Sequence, residues 1–331
     1  MNYHKPVRIV GFGKYLPRQV LSCDIEKKYG LPGGWSIKYS GVSSRHHVTF
    51  ESNGYMGARA IENALENTNV PLSDIDLIIS AAATFDYPLP NRSSVIKSEL
   101  HACNNVCIPA IDIDSSCLSF VSAFEYASRL LDGNQYKKIV IVSSEVSSLA
   151  LDPENWETLT LFGDAAVAVI LEYDETKDSC FIKGGHRTYS EGVYDTMVKG
   201  GGNKFFFKDH PYDSKLHSFS MNGKNLLRLA RNKIPGFMDW FFSDLPVAIT
   251  DIDAVIPHQA SKFGIMMFKN LYEFKEGQVK ENIATNGNCI AASIPMTLYD
   301  SIELGSIKRG DSCLLCGTSA GFSIGGVLIK Y

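Results

Sequence analysis

One short segment of this 331-residue chain occurs twice, and this repeat constrains the fold more than any other feature of the sequence. Ser73–Ile79 reads SDIDLII, and Thr250–Ile256 reads TDIDAVI 177 residues later, about half the chain length away. Each copy follows a predicted helix and leads into a predicted strand. The spacing therefore favours a duplicated α/β unit, and we expect the active site of such a protein where the two halves meet.

Short apolar runs alternate with helical patterns along the chain, which is typical of α/β proteins. Strands are predicted at Arg8–Gly11, Leu77–Ala81, Lys138–Ser143, Ala165–Leu171, Ala254–Ile256, Cys313–Cys316 and Gly325–Ile329. Helices are predicted at about Gly54–Thr68, Cys117–Leu131, Asn222–Phe237 and Ala260–Leu271. The segment from His186 to Ser220 is predicted to form loops that join the halves. The two predicted domains are residues 1–175 and 176–331.

The composition excludes several classes of protein. The chain is 45% apolar and 21% charged with a net charge of −4, so neither disorder nor a basic nucleic-acid-binding surface is expected. It has no apolar run of about 18 residues that could span a bilayer, and its first residues lack the apolar core of a signal peptide. These features predict a soluble cytoplasmic protein.

The eight cysteines show no metal-binding pattern, so no metal site is predicted. Cys313 and Cys316 form a CxxC, but they lie in a predicted strand, where residues three apart point to opposite faces. The pair is therefore predicted to be structural rather than a zinc or redox site. Cys103 and Cys107 have no His or Cys cluster nearby and are also predicted to be structural.

Cys117 has the sequence context of a reactive cysteine. It follows an apolar segment that ends in Asp and Ser, and it begins a helical pattern. The positive end of the helix dipole favours the thiolate, which is the nucleophilic form of the side chain. We therefore expect a lowered pKa for the Cys117 thiol.

Two polar residues of the second half lie at comparable strand-to-helix junctions. His258 follows the predicted strand Ala254–Ile256, in a position that disfavours the imidazolium and keeps the ring neutral. Asn288 follows Gly287, which permits a tight backbone, and small residues come next. Either residue alone is typical of a structural role, whereas together with Cys117 they indicate a catalytic site.

The order and spacing of these motifs resemble those of the thiolase-like condensing enzymes, and specifically the β-ketoacyl-acyl carrier protein synthase III group. The resemblance covers essentially the whole chain, and its motifs are Gly11–Pro17, Trp35, Gly41–Arg45, Cys117, Phe162–Asp164, His258–Ala260, Gly287–Asn288, Ala291–Pro295 and Gly321–Phe322. It implies a duplicated thiolase-like fold with five layers, αβαβα. It also implies a homodimer with the active site of each subunit between the halves.

The resemblance implies a mechanism as well. Cys117 would take an acyl group from a thioester, while the backbone N–H groups of Cys117 and Ala320 would hold the oxyanion. His258 and Asn288 would donate hydrogen bonds to the thioester carbonyl of a malonyl group. They would thereby stabilise the enolate that forms as carbon dioxide leaves and then attacks the acyl-cysteine. The asparagine favours carbon–carbon bond formation over acyl transfer to oxygen or nitrogen.

The predicted substrate passage departs from the family pattern. Tyr39 and Trp156 stand where members typically carry arginines, and Phe263 stands where a basic residue docks the carrier protein. The acyl donor is therefore predicted only as a thioester of coenzyme A or of acyl carrier protein, both of which carry phosphopantetheine, and no cofactor is expected. Tyr87 matches a Phe that reaches the acyl pocket of the partner subunit. Substrate-binding roles are predicted for Trp35, Tyr87, Trp156, Arg228 and Ser261.

The sequence is compatible with other functions of condensing-enzyme relatives. A specialised acyltransferase that passes the acyl group to another acceptor stays open, and so does a non-catalytic partner of a condensing enzyme. Such partners lack the nucleophile, whereas Cys117, His258 and Asn288 are all present. Gly317–Gly321 matches the GxSxG of α/β-hydrolases, but a strand pattern follows the serine and no histidine occurs after His258, so this class is excluded.

Overall fold

A computed structural model describes residues 4–102, 106–176, 178–206, 208, 210 and 213–331, so Cys103 lies outside the described residues. The strands are β1 (Val7–Tyr15), β2 (Arg18–Leu21), β3 (Ser44–His47), β4 (Leu77–Ala81), β5 (Ala110–Ile113), β6 (Lys138–Glu145), β7 (Ala165–Tyr173), β8 (Cys180–Thr188), β9 (Thr196–Val198), β10 (Phe219–Met221), β11 (Ala254–Pro257), β12 (Ser312–Ser319) and β13 (Ser323–Lys330). The helices are α1 (Ser22–Tyr29), α2 (Trp35–Tyr39), α3 (Asn53–Thr68), α4 (Arg92–Ser98), α5 (Ser119–Leu130), α6 (Trp156–Leu159), α7 (Ser214–His217), α8 (Gly223–Phe242), α9 (Lys262–Lys269), α10 (Ile283–Asn286) and α11 (Ser293–Glu303).

Two sheets repeat the same topology. The first sheet has the order β1-β7-β6-β4-β5, and the second has the matching order β8-β13-β12-β11. In each sheet the first two strand pairs are antiparallel and the third pair is parallel. Val279 forms a parallel bridge with Val255 at the place that β5 occupies in the first sheet. The duplication expected from the repeated segment is therefore confirmed, while the domain boundary at residue 175 stays a prediction.

The repeated segment makes equivalent contacts in the two halves. The carboxylate of Asp76 accepts hydrogen bonds from the backbone N–H groups of Lys137 and Lys138 at 2.6 and 2.9 Å. The carboxylate of Asp253 accepts hydrogen bonds from the backbone N–H and the hydroxyl of Ser312 at 2.8 and 2.7 Å. Each aspartate thus joins the start of β4 or β11 to the start of its parallel neighbour, β6 or β12.

Three apolar clusters lie between the five layers, and the middle cluster surrounds the central helices. The first cluster lies between α3 and the outer face of the first sheet and includes Met56, Ile61 and Val140. The second cluster surrounds α5 and α11, which lie between the two sheets. The third cluster lies between the outer face of the second sheet and the helices α8 and α9. This helix–sheet–helix–sheet–helix order confirms the predicted αβαβα fold.

The region from His186 to Ser220 differs from the prediction. Its first residues complete β8, and it also contains α7 and the short antiparallel ladder of β9 and β10. Residues 207, 209, 211 and 212 of this region lie outside the described part of the chain. The prediction of loops alone was wrong because strands of three residues are too short to show a hydrophobic period.

The CxxC pair occupies opposite faces of β12, as its spacing predicts. Cys313 packs in the cluster between the sheets, and Cys316 packs in the outer cluster beneath α8 and α9. Burial raises the pKa of both thiols, that of Cys316 to about 12. The described residues contain no group of three or more His, Cys, Asp and Glu side chains placed to hold a metal ion. Within the same ranges, no helix combines the length and apolar character needed to cross a membrane.

Candidate active site

One cavity brings together the residues predicted to be catalytic. Its volume is about 360 Å³, and Cys117, His258, Asn288 and Ala320 all line it. Cys117 comes from the first half of the chain, whereas the other three come from the second. The cavity therefore lies where the two halves meet, and it is called the site cavity below.

Cys117 lies in a 3-10 turn, Ser116–Leu118, directly before α5. Ser116 has a φ of 52°, a left-handed conformation that is strained for a residue with a side chain. Its backbone N–H donates a hydrogen bond to Asp114 at 2.9 Å, and its carbonyl accepts one from the Ser119 hydroxyl at 2.7 Å. These bonds stabilise the tight turn that brings Cys117 to the site cavity.

The expected low pKa of Cys117 was wrong. Burial raises the pKa of this thiol to about 12, and the nearby carboxyl group of Glu145 acts in the same direction. The backbone N–H groups of Ala320 and of Cys117 itself act to lower this pKa and oppose the shift only in part. Removal of a charge from water outweighs the helix dipole here. These are the two N–H groups predicted for the oxyanion hole, a role that stays a prediction.

His258 follows β11 and is 5% exposed. Burial lowers the pKa of its imidazole to about 4, so the ring is neutral at physiological pH, as its position predicts. Its backbone N–H donates a hydrogen bond to the carbonyl of Cys316 at 2.8 Å, and Nδ1 has no hydrogen-bond partner within the described residues. A neutral imidazole has one N–H donor and one acceptor nitrogen. It can therefore donate a hydrogen bond to a substrate oxygen while the ring itself stays uncharged.

Asn288 is held against the first half by its backbone. Its N–H donates to the carbonyl of Leu161 at 2.9 Å, and its carbonyl accepts from the N–H of Gly163 at 3.1 Å. The side-chain oxygen accepts from the N–H of Ile290 at 2.9 Å, and Nδ2 donates to the carbonyl of Ala260 at 3.2 Å. An amide nitrogen has two hydrogens, so one N–H of Asn288 remains available to a substrate.

Two glycines permit this close approach of the halves. A Cβ atom at Gly163 would lie 2.3 Å from the carbonyl oxygen of Asn286, and one at Gly287 would lie 2.5 Å from that of Leu161. Gly287 also has a φ of 68°, which favours glycine. The glycines of the Phe-Gly-Asp and Gly-Asn motifs therefore both help to place Asn288.

Glu145 is a residue of this region that the sequence analysis missed. Its buried carboxylate accepts hydrogen bonds from the backbone N–H groups of Ala83 at 2.8 Å, Thr84 at 3.0 Å and Ala291 at 3.4 Å, and from the Thr84 hydroxyl at 2.6 Å. It thus joins the loop after β4 to the segment after Asn288. Burial raises the pKa of this carboxyl to about 7. The sequence does contain a signal, because Glu145 ends the apolar strand β6 and an acidic side chain is rarely buried there without a partner.

Most of the predicted substrate-binding residues lie elsewhere. Ser261 lines the site cavity, whereas Trp35, Tyr87, Trp156 and Arg228 do not. The rings of Trp35 and Trp156 pack edge to face with centroids 5.1 Å apart. Tyr87 is 59% exposed, and Arg228 is exposed on α8. The roles of these four residues in substrate binding stay predictions.

A thiol from one half and two neutral hydrogen-bonding groups from the other suit acyl chemistry in which charge appears only on thioester oxygens. Together with the duplicated five-layer fold, this arrangement defines the class of thiolase-like condensing enzymes. The family model for 3-oxoacyl-[acyl-carrier-protein (ACP)] synthase III matches residues 111–188, and the model for its C-terminal part matches residues 243–331. The chain belongs to the β-ketoacyl-acyl carrier protein synthase III family and is an acyltransferase of the condensing type.

Relatives of known identity match over nearly the whole chain. The β-ketoacyl-[acyl-carrier-protein] synthase III of Rickettsia bellii is 30% identical over 327 residues, which are 98% of this chain and 99% of that protein. The synthase III of Vesicomyosocius okutanii is 29% identical over 328 residues, 99% of each chain. The crystal structure of 3-oxoacyl-[acyl-carrier-protein] synthase III from Aquifex aeolicus superposes with a TM-score of 0.87 at 26% identity, covering 98% of this chain and 100% of that one.

Replacement of Gly317 tests the placement of His258. In Gly317→Ala the new Cβ would lie 2.6 Å from the Cβ of His258, so the imidazole must move. We expect the rate of condensation to fall about 10- to 100-fold, because small displacements of a catalytic group have effects of this size. The matched control is Gly326→Ala on β13, where the nearest atom lies 3.5 Å away. Equal condensation rates in the two variants would contradict this role of Gly317.

The raised pKa of Cys117 predicts a particular pH dependence of alkylation. Since the thiolate is scarce in the free protein, its reaction with iodoacetamide should accelerate about tenfold per pH unit from about pH 7 to 9. Peptide mapping by mass spectrometry separates this reaction from that of the exposed Cys23, which serves as an internal reference. A rate for Cys117 that levels off below about pH 8 would show that the thiolate is stabilised instead.

Proposed function

We propose that this chain takes an acyl group from a thioester onto Cys117 and condenses it with a malonyl thioester, releasing carbon dioxide. The observation that carries the proposal is the convergence of Cys117, His258 and Asn288 on one cavity. Family membership supports the same reaction.

In the first step the sulfur of Cys117 attacks the carbonyl carbon of the acyl thioester. The N–H groups of Cys117 and Ala320 stabilise the negative oxygen of the tetrahedral intermediate by about 3 kcal/mol each. The bond to the carrier sulfur then breaks, and the proton lost by Cys117 ends on the departing thiol. The proton therefore moves from one thiol to another, and the acyl transfer as a whole neither takes up nor releases a proton.

In the second step His258 and the free N–H of Asn288 donate hydrogen bonds to the thioester carbonyl of the malonyl group. The bond to the carboxylate breaks, carbon dioxide leaves, and the electron pair forms an enolate whose oxygen both donors stabilise. The enolate carbon attacks the acyl-cysteine carbonyl, the bond to sulfur breaks, and the released thiolate takes a proton from water, which restores the Cys117 thiol. The low pKa of His258 suits this role, because a neutral imidazole donates to an enolate without a full proton transfer.

The carrier is proposed to be phosphopantetheine on coenzyme A or on acyl carrier protein, with no resident cofactor. Three cationic side chains of α8 are exposed and provide a surface for an acidic carrier protein: Lys224, Arg228 and Arg231. Complementary charge of this kind accelerates association. A cytoplasmic location stays a prediction.

A homodimer is also proposed, and the support comes from the free edge of the first sheet. β5 is the edge strand, and its Ile111 is 42% exposed. Tyr126 and Leu130 of α5 are 53% and 39% exposed. An open edge next to exposed apolar side chains favours pairing with a second chain.

Two substitutions separate the two chemical steps. In Cys117→Ala no acyl adduct should form with any donor, because the nucleophile is missing. In Asn288→Ala the adduct should form normally, while condensation should fall about 100-fold or more through loss of an enolate donor. Each protein is incubated with acyl-coenzyme A or with acyl-carrier thioesters, and malonyl carrier protein is then added. The mass of the intact protein is measured after each addition.

The same measurement tests the alternatives. An adduct on the wild-type protein that survives malonyl carrier protein would favour a specialised acyltransferase with another acceptor. If none of the donors gives an adduct, a non-catalytic partner of a condensing enzyme would be favoured. An undiminished adduct in Cys117→Ala would refute the choice of nucleophile.

The proposed dimer is tested by a charge on its edge strand. Ile111→Asp should convert a dimer to a monomer, because a carboxylate would be buried unpaired in the interface. Light scattering after gel filtration measures the mass. The control is Leu304→Asp, since Leu304 is 82% exposed just after α11 and is not part of the edge strand β5. A wild-type monomer, or a dimeric Ile111→Asp protein, would contradict the proposal.

A further inference from the structure

A row of polar side chains leads from the surface of the molecule to the turn that contains Cys117. Four of its members belong to the first half and one, His186, to β8 of the second half. In order from the surface inwards the row consists of Arg129, Glu125, His186, Ser122 and Ser115. The side chain of Arg129 is 53% exposed, whereas Ser122 is buried. We call these five residues the polar row.

The inner end of the polar row holds the turn of the nucleophile. The hydroxyl of Ser122 donates a hydrogen bond to the hydroxyl of Ser115 at 2.8 Å. Ser115 directly precedes the 3-10 turn that contains Cys117, and its carbonyl accepts a hydrogen bond from the N–H of Leu118 at 3.1 Å. Ser116 in this turn has a left-handed backbone, which persists only where the surroundings fix it. A shift of Ser115 would therefore move the sulfur of Cys117.

His186 fixes the direction of these hydrogen bonds. Its Nε2 lies 3.2 Å from the hydroxyl of Ser122. That hydroxyl has one hydrogen, which it donates to Ser115, so Nε2 must supply the hydrogen of its own bond with Ser122. The other ring nitrogen, Nδ1, faces the carboxylate of Glu125 at 3.6 Å. The imidazole is thus held between a carboxylate and a hydroxyl.

Glu125 stays ionised in this position. Burial acts to raise the pKa of its carboxyl, but contacts with His186 and Arg129 lower that pKa below its usual value. Arg129 donates two hydrogen bonds to the carboxylate, at 2.7 and 3.2 Å. A carboxylate beside one ring nitrogen commonly sets the orientation and the tautomer of a histidine. Glu125 therefore orients His186 towards Ser122.

Two glycines make room for the polar row. A Cβ atom at Gly184 on β8 would lie 2.7 Å from Cδ of Glu125, and one at Gly325 on β13 would lie 2.3 Å from Cδ2 of His186. Glycine weakens a strand, and inside a strand it often marks the close approach of another group. The two strands thus provide the space that the carboxylate and the imidazole occupy.

We propose that His186, oriented by Glu125, is a positioning residue that holds the turn of Cys117 through Ser122 and Ser115 and thereby sets the rate of acylation. Neither His186 nor Ser122 lines the site cavity, so both act through the turn and not on the acyl group. The inference rests on the proposed function, because acylation of Cys117 is the step whose rate the polar row controls. A side chain of the second half thus positions the nucleophile of the first half.

The test measures the second-order rate constant of Cys117 acylation by intact-protein mass. The donors are acetyl- and hexanoyl-coenzyme A and the matching acyl-carrier thioesters. In His186→Leu the donor nitrogen is missing, so the rate constant should fall about tenfold or more, because small displacements of a reacting group have effects of this size. His186→Gln supplies an amide N–H in place of Nε2 and should restore the rate constant to within about threefold of the wild type. Loss of fold stability alone would not produce this rescue.

A second variant removes the hydroxyl between the imidazole and Ser115. Ser122→Ala should lower the rate constant as much as His186→Leu does. The double variant should be no slower than either single variant, because both substitutions interrupt the same chain of hydrogen bonds. The matched control is Thr188→Val: Thr188 is also on β8, but its hydroxyl bonds to that of Ser323 at 2.7 Å. The rate constant of this control should equal that of the wild type.

The outcomes separate this inference from the proposed function. If no thioester acylates the wild-type protein, the proposed function fails, and this inference fails with it. If the wild-type protein is acylated and Ser122→Ala reacts equally fast, the proposed function stands and the inference is overturned, whether or not His186→Leu folds. Rate reductions that multiply in the double variant, or a folded His186→Gln as slow as His186→Leu, also overturn it.

Discussion

The backbone hydrogen bonds between Asn288 and the Leu161–Gly163 segment are the interaction on which the site depends. They fasten a loop of the second half to the first half, at the junction that holds Cys117. Only glycine fits at positions 163 and 287, because a Cβ at either would overlap a carbonyl oxygen of the facing segment. Glu145 reinforces the junction, since its carboxylate binds N–H groups from both halves. The thiol of Cys117 and the amide of Asn288, from distant parts of the chain, are thereby held in one arrangement.

Burial dominates the electrostatics of this junction. It keeps Cys117 protonated and His258 neutral, and it raises the pKa of Glu145 towards neutrality. A site of this kind carries little fixed charge, so it suits a reaction in which negative charge develops only transiently on thioester oxygens. The same exclusion of water extends to the apolar lining of the site cavity beneath α8 and α9.

Much of this arrangement could be predicted from sequence, for reasons that are local. Cys117 follows β5, His258 follows β11, and a helix comes soon after each, so these two strand-to-helix junctions could be predicted from the sequence. The same prediction was wrong for Asn288, which follows α10 and Gly287 rather than a strand. The similarity of the SDIDLII and TDIDAVI segments indicated the duplication. Their likeness has a structural reason, since each contains an aspartate that joins two parallel strands. Glu145 was missed because its role depends on contacts with Ala83, Thr84 and Ala291, which are close to it in space but far from it in the sequence.

The sequence by itself determined the alternation of strands and helices, the duplicated fold and three of the side chains that line the site cavity. Strand and helix periods, caps and glycines act over a few residues, so they can be seen along the chain. Tertiary structure decided the pKa of Cys117, the packing of Trp35 against Trp156 outside the site cavity, and the apolar space beneath α8 and α9. Each of these depends on which distant residues exclude water from a given atom. Solvent exclusion is a property of the packed molecule and has no local signature in the sequence.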